Sequence, residues 1–176
     1  MRVIGGRSRG RRLAAKLPAT VRPTSDRVRE SIFDILGSQG GVDGLCVVDL
    51  FCGSGALGLE ALSRGAASAT FVDRDPDALA AVKLNLDAVG LAGEPATLVR
   101  AALPGWLEGA PSFDLALCDP PYEYDGWSEL LGVLRASRAV LESSSEIALP
   151  DTWMVTRARR YGGTLVTVAR RSSADS

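Results

Sequence analysis

The sequence predicts one α/β domain with a mainly parallel sheet, preceded by a small basic arm. From Leu45 onward, short apolar runs alternate with longer segments of helical periodicity, which is typical of parallel strands joined by crossover helices. A length of 176 residues and an apolar content of 46% suit one hydrophobic core. The last two apolar runs flank Gly162-Gly163 and predict an antiparallel hairpin at one edge of the sheet.

The arm comes first. The first twenty residues combine glycines and arginines with two short apolar groups, Val3-Ile4 and Leu13-Ala15. This pattern predicts a small hairpin or an extended arm. Apolar residues then recur at helical spacing as far as residue 36, which predicts a helix. Thr24 or Ser25 can cap its N-terminus.

Seven strands and three further helices follow. The predicted strands are Cys46–Leu50, Ala69–Asp73, Ala96–Arg100, Phe113–Cys118, Ala139–Glu142, Trp153–Arg159 and Thr164–Arg170. The predicted helices are Leu57–Arg64, Asp77–Val89 and Trp127–Ala136. Residues 46–50 form a nearly continuous apolar run, as expected of a strand that is buried on both faces. A turn at Tyr161-Gly162-Gly163 closes the final hairpin.

Charge is distributed unevenly along the chain. Residues 1–36 hold nine Lys or Arg against three acids, residues 37–150 hold six against sixteen, and residues 151–176 hold five against two. Clustered guanidinium groups bind phosphates by releasing condensed counterions. The basic ends therefore indicate a polyanionic partner, with solvated surface arginines as the alternative. We expect residues 1–36 to form a basic arm with its helix and residues 37–176 to form the main domain.

The composition excludes several kinds of chemistry. The sequence has no histidine, which removes imidazole as a base, a nucleophile partner or a metal ligand. Cys46, Cys52 and Cys118 lack the paired spacing of a zinc site, so we expect free, buried thiols and no metal. No run reaches the roughly 18 apolar residues of a membrane span, and the first residues do not resemble a signal peptide. We therefore expect a cytoplasmic protein.

A glycine-rich turn follows the first strand and opens the next helix. Its spacing, Gly53-x-Gly55-x-x-Gly58, lets the backbone lie against a nucleotide, although dinucleotide enzymes share it. Asp49 would oppose a pyrophosphate but can bind the ammonium of S-adenosylmethionine. Asp73 is placed to accept both ribose hydroxyls, as an acid does in dinucleotide folds too. The candidate cofactor-binding residues of these segments are Asp49, Phe51, Cys52, Gly53, Ser54, Gly55, Gly58, Asp73 and Arg74.

The tetrapeptide Asp119-Pro120-Pro121-Tyr122 falls at the carboxyl end of an apolar strand, on the ligand edge of an open α/β sheet. Two prolines fix two φ angles and remove two N–H donors, so nearby carbonyls form a rigid acceptor surface. The Asp119 carboxylate and the Pro120 carbonyl can accept hydrogen bonds from an exocyclic amine and orient its lone pair. Tyr122 offers a ring on which a base can stack. We expect these four residues to catalyse methylation of an amine on a nucleobase.

Five blocks of the sequence resemble the RsmD-type methyltransferases, which modify a guanine amine in bacterial small-subunit ribosomal RNA. The blocks are Arg2–Gly6 with Gly10–Leu13, Arg22–Phe33, Phe51–Ala61, Asp119–Tyr122 and Arg160–Thr164. The Arg22–Phe33 block is the most distinctive of them. The resemblance implies a Rossmann-like class I methyltransferase fold, S-adenosylmethionine as the methyl donor, and a ribosomal particle as the substrate.

The resemblance also assigns roles to further residues. Arginines of the arm are candidate phosphate contacts, namely Arg2, Arg7, Arg9, Arg11, Arg12 and Arg22. Arg29 is expected to pair with Glu30 or Asp34 on its own helix. Residues 100–103 offer no carboxylate to meet an adenine, so we expect the backbone amides near Ala101 and Ala102 to bind it. A monomer is expected.

Two other functions remain open at this point. A DNA adenine-N6 methyltransferase uses the same tetrapeptide, but 176 residues leave little room for a domain that reads DNA sequence. A basic RNA-binding protein of ribosome assembly, without turnover at its cofactor pocket, is the third possibility.

Overall fold

The computed structural model describes residues 1–15 and 25–172 of the chain. Its helices are α1 (Asp26–Ser38), α2 (Ala56–Ser63), α3 (Pro76–Ala88) and α4 (Trp127–Val133), with one short 3-10 helix over Gly105–Glu108. Its strands are β1 (Cys46–Leu50), β2 (Ser68–Asp73), β3 (Ala96–Arg100), β4 (Phe113–Cys118), β5 (Ala136–Ser143), β6 (Trp153–Tyr161) and β7 (Thr164–Arg171). No helix in the described part of the chain is long and apolar enough to cross a membrane.

The seven strands form one sheet in the order β3-β2-β1-β4-β5-β7-β6. The first five in this order run parallel, while β7 pairs antiparallel with β5 and β6 pairs antiparallel with β7. The prediction of a mainly parallel sheet with an antiparallel hairpin at its edge is confirmed. The strand order reverses between β1 and β4, and ligands bind at such a switch point beyond the carboxyl ends of the strands.

Most predicted elements agree with the structure to within two residues, but the helix over Trp127–Ala136 is too long. It ends at Val133, because Leu134 adopts extended backbone angles (φ −66°, ψ 119°). The Phe113 N–H then donates to the Arg135 carbonyl at 2.8 Å, which draws this segment into the sheet. β5 consequently begins at Ala136 and is longer than the predicted strand. Pairing with β4 therefore overrides the local helical periodicity.

Helix α1 covers one face of the sheet. Ser25 caps it, since its hydroxyl accepts from the Val28 N–H at 3.2 Å; Thr24 lies outside the described residues. Arg29 does not pair with Glu30 or Asp34, the two partners expected from the sequence. It is buried, and its guanidinium donates to Asp26 at 2.8 Å and to the Arg2 carbonyl. The helix N-terminus is thereby tied to the start of the chain.

The first fifteen residues form a small hairpin that packs on the domain. An antiparallel bridge joins Arg2 to Arg12, and the Val3 N–H donates to the Arg11 carbonyl at 2.9 Å. Val3 and Leu13 are buried in a cluster with side chains of α2, α3 and β2. The hydrophobic core therefore extends into the basic arm. We call residues 1–13 the N-terminal hairpin.

Candidate cofactor and catalytic site

The turn between β1 and α2 has the backbone geometry that a ligand-binding glycine loop needs. Gly53 and Gly55 have positive φ angles of 52° and 80°, and Phe51 does so as well, at 57°. A Cβ atom on Gly58 would lie 2.4 Å from the Phe71 Cε1 atom, so only glycine lets α2 pack this closely against β2. Two glycines therefore serve the turn and the third serves the packing.

Asp49 lies at the base of this loop, on β1. Its side chain is 1% exposed, and its Oδ2 accepts from the Gly58 N–H at 2.8 Å. Burial raises the pKa of Asp49 well above its ordinary value, and the nearby carboxylates of Asp119 and Asp73 raise it further; the Gly58 hydrogen bond opposes the shift. A buried carboxyl group beside two other carboxylates destabilises the fold. Groups of this kind are typical of functional sites.

Asp73 ends β2 on the same edge of the sheet. Its Oδ2 accepts from the Gly53 N–H at 3.0 Å and its Oδ1 from the Asp75 N–H at 2.9 Å. These two bonds fix the plane of the carboxylate beside the glycine loop. Arg74 is exposed directly after it. Ala102 is exposed after β3, whereas the Ala101 N–H is already donated to the Asp73 carbonyl at 3.1 Å.

The other predicted loop residues are partly structural. Cys52 is buried, and desolvation raises the pKa of its thiol far above the ordinary range. Ser54 is buried too, and its carbonyl accepts from the Asn85 side-chain amide of α3 at 3.0 Å. Cys118 is buried beneath the tetrapeptide, while Cys46 is exposed, contrary to expectation, because it begins β1 at the opposite edge.

The charges of the site suit a cationic ligand. Asp49, Asp73 and Asp119 lie close enough for the other two carboxylates to raise the pKa of Asp49. S-adenosylmethionine carries an ammonium and a sulfonium, whereas a dinucleotide carries a pyrophosphate that these carboxylates would repel. Over residues 1–15 and 25–172, no group of three His, Cys, Asp or Glu is arranged to hold a metal ion.

The tetrapeptide directly follows β4, next to β1. Asp119 comes after Cys118, which pairs with Leu50 of β1 and Leu141 of β5. Pro120 is buried and Pro121 is exposed. Tyr122 is 45% exposed, and its hydroxyl lies 3.4 Å from the Thr164 hydroxyl at the start of β7. The fold thus brings the tetrapeptide, the glycine loop and the turn of the final hairpin to one edge.

Tyr124 belongs to this edge and the sequence reasoning missed it. Its ring makes edge contacts with Phe51 and Trp127, at centroid distances of 5.0 and 5.3 Å. Its hydroxyl donates to the Gly126 carbonyl at 3.1 Å, and burial raises its pKa to about 12. Tyr124 therefore packs against Phe51, the non-glycine residue of the loop with a positive φ angle. The signal in the sequence is the aromatic residues that follow two strand ends, Phe51 after β1 and Tyr124 after β4.

The predicted RNA-binding arginines fall into two groups. Arg7 pairs with Glu94 at 2.6 Å, and Arg11 donates to the Val89 carbonyl at 3.0 Å, so both also fasten the hairpin to the domain. The exposed Arg2 lies 3.7 Å from Asp26. Arg9 and Arg12 are exposed and form no ion pair within the described ranges. Arg22 lies outside the described residues.

Glu60 of α2 is a second residue that the sequence reasoning missed. It is fully buried and accepts from the Ile4 N–H at 2.8 Å and the Gly5 N–H at 2.7 Å. The Arg64 guanidinium donates to the same carboxylate at 2.8 Å. Glu60 therefore holds the N-terminal hairpin against the helix that follows the glycine loop. Its signal in the sequence is a lone acid inside an apolar helix.

Replacing Glu60 with Ala should lower the free energy of unfolding by about 3 to 5 kcal/mol, because two amides and the Arg64 guanidinium lose a buried partner. Glu94→Ala is the control, since Glu94 pairs with the exposed Arg7 and is itself less buried than Glu60, so its loss should cost less than about 1 kcal/mol. Urea denaturation of both variants measures the difference. A loss of about 1 kcal/mol or less in Glu60→Ala would show that Glu60 does not fasten the hairpin.

Comparisons with known proteins identify the family of the chain. A family model described as "Conserved hypothetical protein 95" matches residues 1–170. YlbH of Bacillus subtilis, provisionally named an rRNA methyltransferase, is 36% identical over 97% of this chain and 99% of its own. Ribosomal RNA small subunit methyltransferase D of Escherichia coli K12 is 34% identical over 92% of this chain and 85% of its own.

A solved structure shows the same architecture along the whole chain. The Escherichia coli protein yhhF, provisionally titled a methyltransferase, superimposes with a TM-score of 0.85 at 31% identity and covers 99% of both chains. The predicted class I methyltransferase fold, the enzyme class and the S-adenosylmethionine cofactor are confirmed. The chain belongs to the Conserved hypothetical protein 95 family and is an RsmD-type, S-adenosylmethionine-dependent methyltransferase.

Proposed function

We propose that this enzyme methylates the exocyclic amine of a guanine in small-subunit ribosomal RNA. The observation that carries the proposal is the position of Asp119-Pro120-Pro121-Tyr122 at the end of β4, directly beside Asp49 and the glycine loop. A group that accepts hydrogen bonds from an amine therefore adjoins the carboxylates that suit a cationic methyl donor. The relatives' names support ribosomal RNA as the substrate, and the RsmD-type resemblance supports guanine as the base.

The predicted cofactor-binding residues contact different parts of S-adenosylmethionine. Asp49 and the glycine loop receive its amino acid end, Asp73 accepts from the ribose hydroxyls, and the Ala102 amide is the candidate donor to the adenine. Phe51, Cys52, Ser54 and Arg74 shape the same pocket. When bound, S-adenosylmethionine supplies an electrophilic methyl group on a sulfonium.

The tetrapeptide handles the acceptor. An exocyclic amine is a poor nucleophile because its lone pair is delocalised into the ring. Asp119 and the Pro120 carbonyl accept its N–H bonds and turn the lone pair toward the methyl group, while the exposed Tyr122 ring stacks on the base. Orientation of this kind is the main catalytic contribution we assign. Asp119 or water takes the proton that the methylated amine releases.

The substrate fixes the setting of the reaction. Ribosomal RNA is synthesised and assembled in the bacterial cytoplasm, which is where we place the enzyme. The basic N-terminal hairpin, with Arg2, Arg9 and Arg12 exposed, offers cations to the phosphates of that RNA. We expect the enzyme to act as a monomer on the small subunit.

Methyl transfer to defined substrates tests this function. Small subunits and naked small-subunit RNA, both from cells lacking the gene, are incubated with the purified enzyme and isotopically labelled S-adenosylmethionine. We expect one labelled N2-methylguanine per RNA molecule by nucleoside mass spectrometry, with duplex DNA unlabelled. Label in adenine of DNA would support the DNA alternative. Cofactor-independent RNA binding without any methylation would support a non-catalytic assembly role.

A further inference from the structure

The edge strand β6 and its partner β7 carry a charge pattern that the site above does not use. Between residues 152 and 172 the sequence has five arginines and no acid. β6 is the outermost strand on its side of the sheet, and its residues 154–160 are all exposed. The arginines are Arg157, Arg159 and Arg160 on β6 and Arg170 and Arg171 on β7. Within the described ranges, none of them forms an ion pair.

A β-bulge decides which face of β6 these side chains occupy. Before the bulge Met154 lies opposite Arg170, and after it Arg157 lies opposite Val168. Paired residues share a face of the sheet, as do residues two apart on one strand. Arg157, Arg159 and Arg170 therefore point to the same side, the side that α1 covers over the neighbouring strands. Without the extra residue of the bulge, Arg157 and Arg159 would point to the other side.

This arginine row begins at the catalytic edge. The turn between β6 and β7 adjoins the tetrapeptide, since the Tyr122 and Thr164 hydroxyls are 3.4 Å apart. The Arg159 guanidinium lies over the Tyr161 ring, 5.3 Å from its centroid, which steadies it near this turn. A strand advances about 3.3 Å per residue, so the row extends from the turn at Tyr161 to the level of Met154, opposite Arg170, over roughly 23 Å of β6.

We call the surface formed by Arg157, Arg159 and Arg170 the hairpin face. We propose that the hairpin face binds the phosphate backbone of the RNA that flanks the methylated nucleotide. The proposal rests on the proposed function and names the surface that holds its substrate beyond the base pocket. Unpaired, exposed guanidinium groups attract phosphates and release counterions on binding. The hairpin face and the N-terminal hairpin are the basic surfaces of a chain whose middle is acidic.

A structural explanation competes with this one. Charged residues on an edge strand prevent sheets from pairing edge to edge, and either sign of charge serves that purpose. Phosphate binding requires positive charge. A change of sign therefore separates the two explanations, because it keeps the edge protected while repelling RNA.

The test compares three variants of the full-length enzyme. Arg157→Glu/Arg159→Glu reverses the charge, Arg157→Lys/Arg159→Lys keeps it, and Lys83→Glu reverses one exposed charge on α3 as a control. Methyl transfer gives kcat and KM for small-subunit RNA, filter binding at several salt concentrations gives the salt dependence of Kd, and calorimetry gives the affinity for S-adenosylmethionine. Circular dichroism confirms the fold, with Arg157→Gln/Arg159→Gln as the substitute should the glutamate variant misfold.

We expect the glutamate variant to raise KM for RNA on the order of tenfold or more, with kcat and cofactor affinity near wild type. Its plot of log Kd against log salt should lose about 0.7 to 0.9 in slope for each phosphate contact removed. The lysine variant and Lys83→Glu should resemble wild type. An unchanged KM and slope in the glutamate variant, or an equal change in Lys83→Glu, would overturn the proposal. Absence of methyl transfer by the wild-type enzyme would instead overturn the proposed function.

Discussion

Replacing Asp119 with Ala should lower kcat for RNA methylation by at least about a hundredfold, because the amine loses the acceptor that aims its lone pair. Cofactor affinity should change little, since Asp49 and Asp73, the carboxylates assigned to the cofactor, are kept. Single-turnover methyl transfer with saturating cofactor and RNA measures the first effect, and calorimetry measures the second.

A companion variant separates orientation from proton transfer. Asp119→Asn keeps an oxygen that accepts from the amine but removes the basic carboxylate, so we expect it to retain far more activity than Asp119→Ala. Asp87→Ala, on the exposed side of α3, is the control for the loss of an acid and should behave as wild type. Full activity in Asp119→Ala would refute the catalytic role of the tetrapeptide.

Replacing Asp49 with Asn should weaken S-adenosylmethionine binding while stabilising the ligand-free protein. The ammonium of the cofactor loses a charged partner, for which we expect a loss of affinity on the order of tenfold to a hundredfold. The fold loses a buried charge that Asp119 and Asp73 repel. Each kcal/mol of stabilisation at neutral pH should raise Tm by about 2 to 4 °C.

The pH dependence follows from the raised pKa of Asp49. Between its ordinary pKa and its higher pKa in the fold, the folded protein holds a proton that the unfolded chain has lost, so stability falls as the pH rises through this window. Cofactor affinity rises in the same window, because the ammonium prefers the ionised carboxylate. Both trends should flatten in Asp49→Asn, as measured by thermal melts and calorimetry across pH. A wild-type affinity independent of pH would contradict the assignment of Asp49.

The sequence alone determined the elements with strong local signals. A nearly continuous apolar run places β1 at Cys46–Leu50, and the Tyr161-Gly162-Gly163 turn predicts the final antiparallel hairpin. The glycine spacing and the tetrapeptide identify two chemical groups at strand ends, and parallel strands necessarily bring such ends to one edge. These features depend on nearby residues or on a rule of topology, so they can be predicted from the sequence.

The tertiary structure decided what depends on distant partners. The segment after Val133 became strand because β4 offered it hydrogen bonds. Glu60 gained its role only when the Ile4 and Gly5 amides, more than fifty residues earlier, were folded onto α2. The bulge in β6 sets the face of the sheet on which Arg157 and Arg159 lie. The regular alternation of a strand would place them on the opposite face. In each case the deciding energy is a contact between segments far apart in the chain, which no local pattern encodes.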